Sequence, residues 1–292
     1  SLDEISTEHT YYYLKNNVVT VASWKPVSGT VLCLNGYSVT CDADADTVKI
    51  EEESSFTLTD CSADESGRIT HTSGKNGRGV ENRGTFNLWR GGISGNSVKS
   101  VGAGVCNGGL DIPDATFNMY GGRVSDNSTG DYGQGAGIYN RSKVNLSGGS
   151  ISDNYATGSG GGISNYRGTV KMSGTASIRN NRIDPENTSS SGGGIDNYLG
   201  TLIMEGGEIS GNKANCGGVG NTASSYSSAD TTSGSFTMTG GAIFDNEADA
   251  VGGGIYNSAD EAATLTVTLT GSAVIRDNKA KNGGGVGIGG SA

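Results

Sequence analysis

Residues 135–165 read GAGIYNRSKVNLSGGSISDNYATGSGGGISN, and this stretch holds the unit from which the architecture follows. It begins and ends on a glycine cluster leading into Ile-x-Asn, at 138–140 and again at 163–165. Between the two lie an alternating Val144-Asn145-Leu146 and a GGSISDN segment at 148–154. Alternation at Val144-x-Leu146 sends two side chains one way and one the other, which is the pattern of a strand with one buried face. Working outward, the same three segments return from about residue 56 to residue 288, for example FNL (86–88), GGISGN (91–96) and GAGVCN (102–107), or FTM (236–238), GGAIFDN (240–246) and GGGIYN (252–257).

Three strands of four or five residues per turn of 24–36 residues, punctuated by glycine pairs and asparagines, describe one rung of a right-handed parallel β-helix. The expected fold is therefore all-β: a solenoid of about nine three-strand rungs, with residues 30–292 as the β-helix and residues 1–29, which break the repeat, as an N-terminal cap over the open end. Eight steps of ~4.8 Å make a rod on the order of 40 Å long. Helical arrays are excluded, since each glycine would cost roughly 1 kcal/mol inside a helix and no 3.6-residue period is sustained. At the other end GGGVGIGGSA (283–292) brings no closing segment, from which a longer polypeptide or a self-associating end is expected.

Composition agrees with a thin, elongated core. The 292 residues include 51 Gly, well above the usual share of about 7%, but only 5 Phe, 2 Trp and 4 Met. A net charge of −10 argues against nucleic acid or an anionic membrane as a partner, and no apolar run approaches the ~20 residues of a spanning helix, so membrane insertion of this segment is not expected.

Two asparagine series recur with the repeat. Asn82, Asn107, Asn140, Asn165, Asn197, Asn221 and Asn257 end the third strand of successive rungs at spacings of 25, 33, 25, 32, 24 and 36, as expected if loops of variable length are inserted at fixed corners. Asn96, Asn127, Asn154, Asn181, Asn212, Asn246 and Asn278 each follow an Ile or Val by three residues. Both read as corner ladders whose amides bond backbone and the equivalent amide one rung away, ligand binding being the alternative. Cys33, Cys41 and Cys61 crowd into neighbouring rungs, so one disulfide among the three, or three buried thiols, is expected. With only His9, in the cap, and His71, in an early loop, no zinc site or Ser-His-Asp arrangement can be assembled.

GGAI (240–243), GAGI (135–138) and GGGI (160–163) together with the IxxN segments resemble the GGAI and FxxN repeats of polymorphic outer membrane proteins. LCLNG (32–36) and LTDC (58–61) are similar to the leading turns of β-helix regions in large secreted and wall-attached bacterial proteins. The resemblance covers roughly residues 30–290 and implies a parallel β-helix, an extracellular or cell-surface location and an adhesin-like role. Ile or Val stands here where the first family has Phe before xxN, and no β-barrel translocator segment is present.

β-Helices also host polysaccharide lyases and hydrolases. Polygalacturonase-like hydrolases would carry NTD, DD, GHG and RIK segments, and none occurs. A lyase needs a base beside carboxylates, for which Asp126 and Asp153, at one motif position in consecutive rungs, are the candidates; Asp245 and Asp277 repeat the arrangement. Solvated corner residues, a Ca²⁺ site and a catalytic pair are the three readings, so calcium is the one cofactor entertained. For binding, Ile and Asn of the third strand point inward, and the residues between and after them point out: Tyr139, Tyr166, Tyr198 and Tyr256, with Arg141 and Asp196 on the same face. Such a line suits sugar rings or a protein anchor, although tyrosine also suits exposed strands. The expected function is a noncatalytic surface adhesin or structural rod, with a host or environmental glycan or surface protein as partner; a polysaccharide lyase is the alternative.

Overall fold

A computed structural model describes residues 2, 10–109, 114–223, 233–259 and 263–289; His9 lies outside the described residues. It is a right-handed parallel β-helix whose strands form four sheets, every strand-to-strand pairing within them parallel. In the middle rung the chain runs from the first sheet (Lys143–Leu146) to the second (Ser150–Ser152), through a two-residue strand (Tyr155–Ala156) and on to the closing sheet (Ile163–Tyr166). Ten strands make the first sheet, ten the second, six the short sheet and nine the closing sheet. None of the described residues forms a helix long and apolar enough to cross a membrane.

The register is that of the repeat. Phe56, Phe86 and Phe117 pair in the first sheet, Ile151 pairs Ile178 in the second, and Ile138 pairs Ile163 in the closing sheet. Like residues therefore stack into columns with no solvent exposure at most levels, and the three phenylalanine rings lie nearly parallel at 5.8 and 5.0 Å. Small β-branched and aliphatic side chains suffice because three sheets converge on a narrow interior, so each column needs one or two side chains per rung.

Two expectations require correction. Rungs are mostly four-stranded, not three-stranded: two residues after each asparagine of the second series except the last, Asn278, stands Val98, Thr129, Ala156, Ile183, Ala214 or Ala248, and these bury to form the short sheet. Triple glycines answer to that sheet. At 192–194, Gly192 has φ +68°, a Cβ on Gly193 would stand 2.8 Å from the backbone of Lys213 in the short sheet, and one on Gly194 would stand 2.9 Å from Asn212 Nδ2. Only a chain without side chains passes there. Secondly, His71 is not in a loop; it ends a second-sheet strand (Arg68–His71), buried, with Nδ1 2.7 Å from Asn96 Oδ1 and Nε2 2.7 Å from the Ala45 carbonyl.

The amino-terminal segment joins the same pairing. Tyr11–Tyr13 lies beside Thr30–Cys33 in the first sheet, Val18–Thr20 beside Ser38–Cys41 in the second, and Trp24 bridges to Val48 at the closing sheet. Of the three early cysteines, Cys33 and Cys61 are joined in a disulfide with Cα atoms 5.9 Å apart, and Cys41 is a buried free thiol. Asp60, next to Cys61 in sequence, accepts from the backbone of Gly36, Ser62 and Gly67 and so ties two successive corners.

Both asparagine series are ladders. In the closing sheet each Nδ2 donates to the next Oδ1 at 2.6–2.8 Å from Asn82 to Asn257. In the second series the amide-to-amide distances from Asn96 to Asn278 are 2.9–3.0 Å. His71 stands one rung before Asn96, where the second ladder begins.

Candidate functional site

Asp126 and Asp153 occupy the corner between the second and short sheets, exposed, with φ of 55° and 59°. Asp245, Asp277 and Asn180 fall at the same position with φ of 53–56°, and Gly95 and Gly211 fill it elsewhere at 70° and 64°. The common feature is a left-handed backbone, which Asp, Asn and Gly tolerate best. Backbone conformation accounts for these carboxylates. Asp153→Val should accordingly lower stability by about 1–2 kcal/mol, whereas Asp153→Gly should leave it nearly unchanged, as read from urea midpoints. Among the described residues no group of three or more His, Cys, Asp or Glu side chains is placed to hold a metal ion.

On the closing sheet the outward-pointing residues behave differently from the simple alternation expected. Tyr139 is only 8% exposed and Asp196 only 4%. The cause is the first glycine of each cluster, whose positive φ folds the chain back over the strand that follows: a Cβ on Gly135 would stand 2.9 Å from Tyr139 Cα, and one on Gly192 would stand 2.4 Å from Asp196 N. Tyr139 and Asp196 are therefore roofed by their own corners, whereas Tyr256, at the same position of a later rung, stays half-buried. Tyr139 is a packing residue, and burial pushes its phenol upward in pKa.

Positions two residues further on, just after each Asn, remain accessible and form a column. Arg141, Tyr166 and Tyr198 follow one another rung by rung, with the Arg141 guanidinium 4.5 Å from the Tyr166 ring centre and the Tyr166 and Tyr198 rings stacked at 5.0 Å. Arg141 and Tyr198 reach Tyr166 from the rungs on either side, so both faces of that ring are occupied and it cannot itself take a sugar face-on.

Tyr166, Tyr198, Tyr256 and Asp196 come together along a cleft of about 460 Å³ on this face. Its size is that of a small-molecule site. Thr188–Ser191 and, one rung on, Asn215 and Cys216 form a single wall, Ser191 pairing in parallel with Cys216, and Gln134, Ser159, Thr222, Ala223 and Ser258 complete the lining. The Asn215 amide donates to the Thr188 carbonyl and ties the two segments of that wall together. At the base, Asp196 Oδ1 accepts from Ser191 Oγ at 2.7 Å and Thr222 Oγ1 at 3.1 Å. Burial pushes the Asp196 carboxyl up to about 6, the two hydroxyls offsetting only part of the desolvation. The structure thus brings Tyr166, Tyr198, Tyr256 and Asp196 into one cleft, with Arg141 on the outer side of Tyr166, and sets Tyr139 beneath the surface.

A second aromatic feature was missed in the sequence. Trp89 and Tyr120, each immediately after a first-sheet strand, stack at 4.3 Å while 53% and 43% exposed. An outward amide row runs beside them on the first sheet, Asn145 donating to Asn118 and Asn118 to Asn87, each at 2.9 Å. Their signal in the sequence is an aromatic at the same register of consecutive rungs. Compared with known proteins, the chain matches no family model, no curated protein and no solved structure.

Proposed function

We propose that this chain is a noncatalytic, adhesin-like β-helix of an extracellular or cell-surface protein, and that the cleft on its closing sheet binds glycan. The observation carrying this reading is the cleft itself: three tyrosines and a buried carboxylate among Ser, Thr, Asn and Gln side chains, a lining of apolar ring surface and directional hydrogen-bonding groups that matches a sugar's apolar faces and hydroxyls. A rigid rod supports it, since Tyr166, Asp196, Tyr198, Thr222 and Tyr256 stand on paired strands and Asn215 is bonded to Thr188. Resemblance of the glycine and IxxN segments to repeats of surface-exposed and wall-attached proteins favours the location.

On the side of a lyase stands Asp196, whose raised carboxyl could exchange a proton near neutral pH. A lyase or hydrolase also needs a second group; the described lining residues supply no Lys, Arg, His or further carboxylate, so that role would fall to a tyrosine or to Cys216, whose thiol burial pushes up. Asp126 and Asp153 lie on another corner, outside that lining. A glycan array on the purified chain should therefore return specific ligands that remain intact on prolonged incubation. Tyr198→Ala should weaken the best ligand by about tenfold or more, with unchanged circular dichroism. Steady depolymerisation of an array ligand would overturn the noncatalytic reading, and unchanged affinity in the variant would remove the cleft from it.

A further inference from the structure

Asp196 has two carboxylate oxygens and uses one. Both hydrogen bonds that reach it, from Ser191 and Thr222, land on Oδ1; among the described residues none reaches Oδ2. The residue is 4% exposed and lines the cleft. Its neighbours offer no compensating charge. In register on the adjacent strands are Ser164 and Gly220, Ser191 comes from the corner before it, and Thr222 stands on the next strand. The other titratable groups of the cleft are Tyr166, Tyr198, Tyr256 and Cys216; burial pushes the Cys216 thiol up, so it stays neutral. Arg141 sits against Tyr166 and is absent from the described lining. Among the described residues the cleft therefore presents a desolvated carboxylate without a counter-ion, and a neutral hydroxyl placed at Oδ2 would leave that charge uncompensated.

Resting on the glycan reading, we propose that the cleft selects sugars bearing a free ammonium group, as in deacetylated amino sugars, with the ammonium bonded to Asp196 Oδ2 and accompanied by the rings of Tyr198 and Tyr256. An ammonium supplies the missing charge and several donors at once, and tyrosine rings add attraction for a cation. Acetylation of the amine removes the charge and adds bulk, so the acetylated sugar forfeits both gains. The net charge of −10 favours approach of a cationic glycan.

Calorimetric titration of the full chain with glucosamine, N-acetylglucosamine and glucose oligomers of equal length tests the proposal. At about pH 7 the glucosamine oligomer should bind roughly tenfold or more tightly than the other two, and Asp196→Asn should abolish that preference. Only ionised Asp196 attracts an ammonium, and its folded carboxyl titrates at about 6. Lowering the pH from about 7 to about 5 should accordingly cost at most about tenfold in affinity for glucosamine oligomers in the unmodified chain, and a net loss of severalfold once the fuller protonation of the ligand is included. This second measurement decides the matter should Asp196→Asn fail to fold. Equal affinity for glucosamine and glucose oligomers, or a glucosamine affinity that rises on acidification, would overturn the ammonium proposal and leave glycan binding standing. No binding of any of the three, on a chain that also gives no glycan-array signal, would overturn both.

Discussion

Replacing Phe86 by alanine is expected to cost about 3–5 kcal/mol, the range for removing a fully buried aromatic side chain. Phe86 has no solvent exposure and is stacked between Phe56 and Phe117, so its loss opens a void and also unsupports two neighbouring rings. Collapse to fill the void is restricted, because the surrounding backbone is pinned by ladders to the rungs on either side. Stability in a solenoid is a sum of rung and nearest-neighbour terms, so damage at Phe86 should appear as early opening of the rungs that contain Phe56, Phe86 and Phe117, and not as a uniform shift. Hydrogen exchange resolved by segment would show protection lost near residues 55–119 while residues 195–244 retain it. A variant that melts as one unit with an unchanged midpoint would contradict the stacked-column account.

Asn154→Ala should follow, at about 2–4 kcal/mol, for a different reason. The Asn154 amide is wholly buried and four-way engaged: Nδ2 donates to Asn181 Oδ1 and to the Val124 carbonyl, and Oδ1 accepts from the backbone N and the Nδ2 of Asn127. Alanine removes all four bonds; Asn127 Nδ2 keeps the Ile93 carbonyl and Asn181 Oδ1 keeps the backbone N–H of residue 154, but the Asn127 N–H and the Val124 carbonyl lose their amide partner away from water, and the cost of an unmet buried polar group exceeds the net worth of the bond it made. Asn154→Asp should be comparably harmful, because a carboxylate would turn a lone pair toward the Val124 carbonyl and Asn181 Oδ1, where the amide presents hydrogens. Asn145→Ala, on the outward row of the first sheet, provides the contrast; exposed amides there lose little, within about 0.5 kcal/mol. Urea titrations of the variants would check the ordering.

These two positions show why the fold was legible. A parallel β-helix repeats its environment every rung, so the residue types that satisfy it repeat as well, and Phe86 or Asn154 can be recognised from Phe117 or Asn127 without any coordinates. Chain-local rules were enough for the columns and the ladders. They were not enough for the face above the closing sheet. Alternation says which way a side chain leaves the backbone and is silent on what lies over it, which is why Tyr139 and Asp196 were expected outside and are found covered.

The amino-acid order by itself therefore determined the rung, its register and its inward residues, since these depend on period and on which groups tolerate burial or positive φ. Tertiary structure alone decided the short fourth sheet, the Cys33–Cys61 pairing among three candidates, and the gathering of Tyr198, Tyr256 and Asp196 beneath the 188–191 wall. Each of those depends on how loops of unequal length fold back between rungs, a path that no repeat encodes because the loops are where the repeat departs from itself.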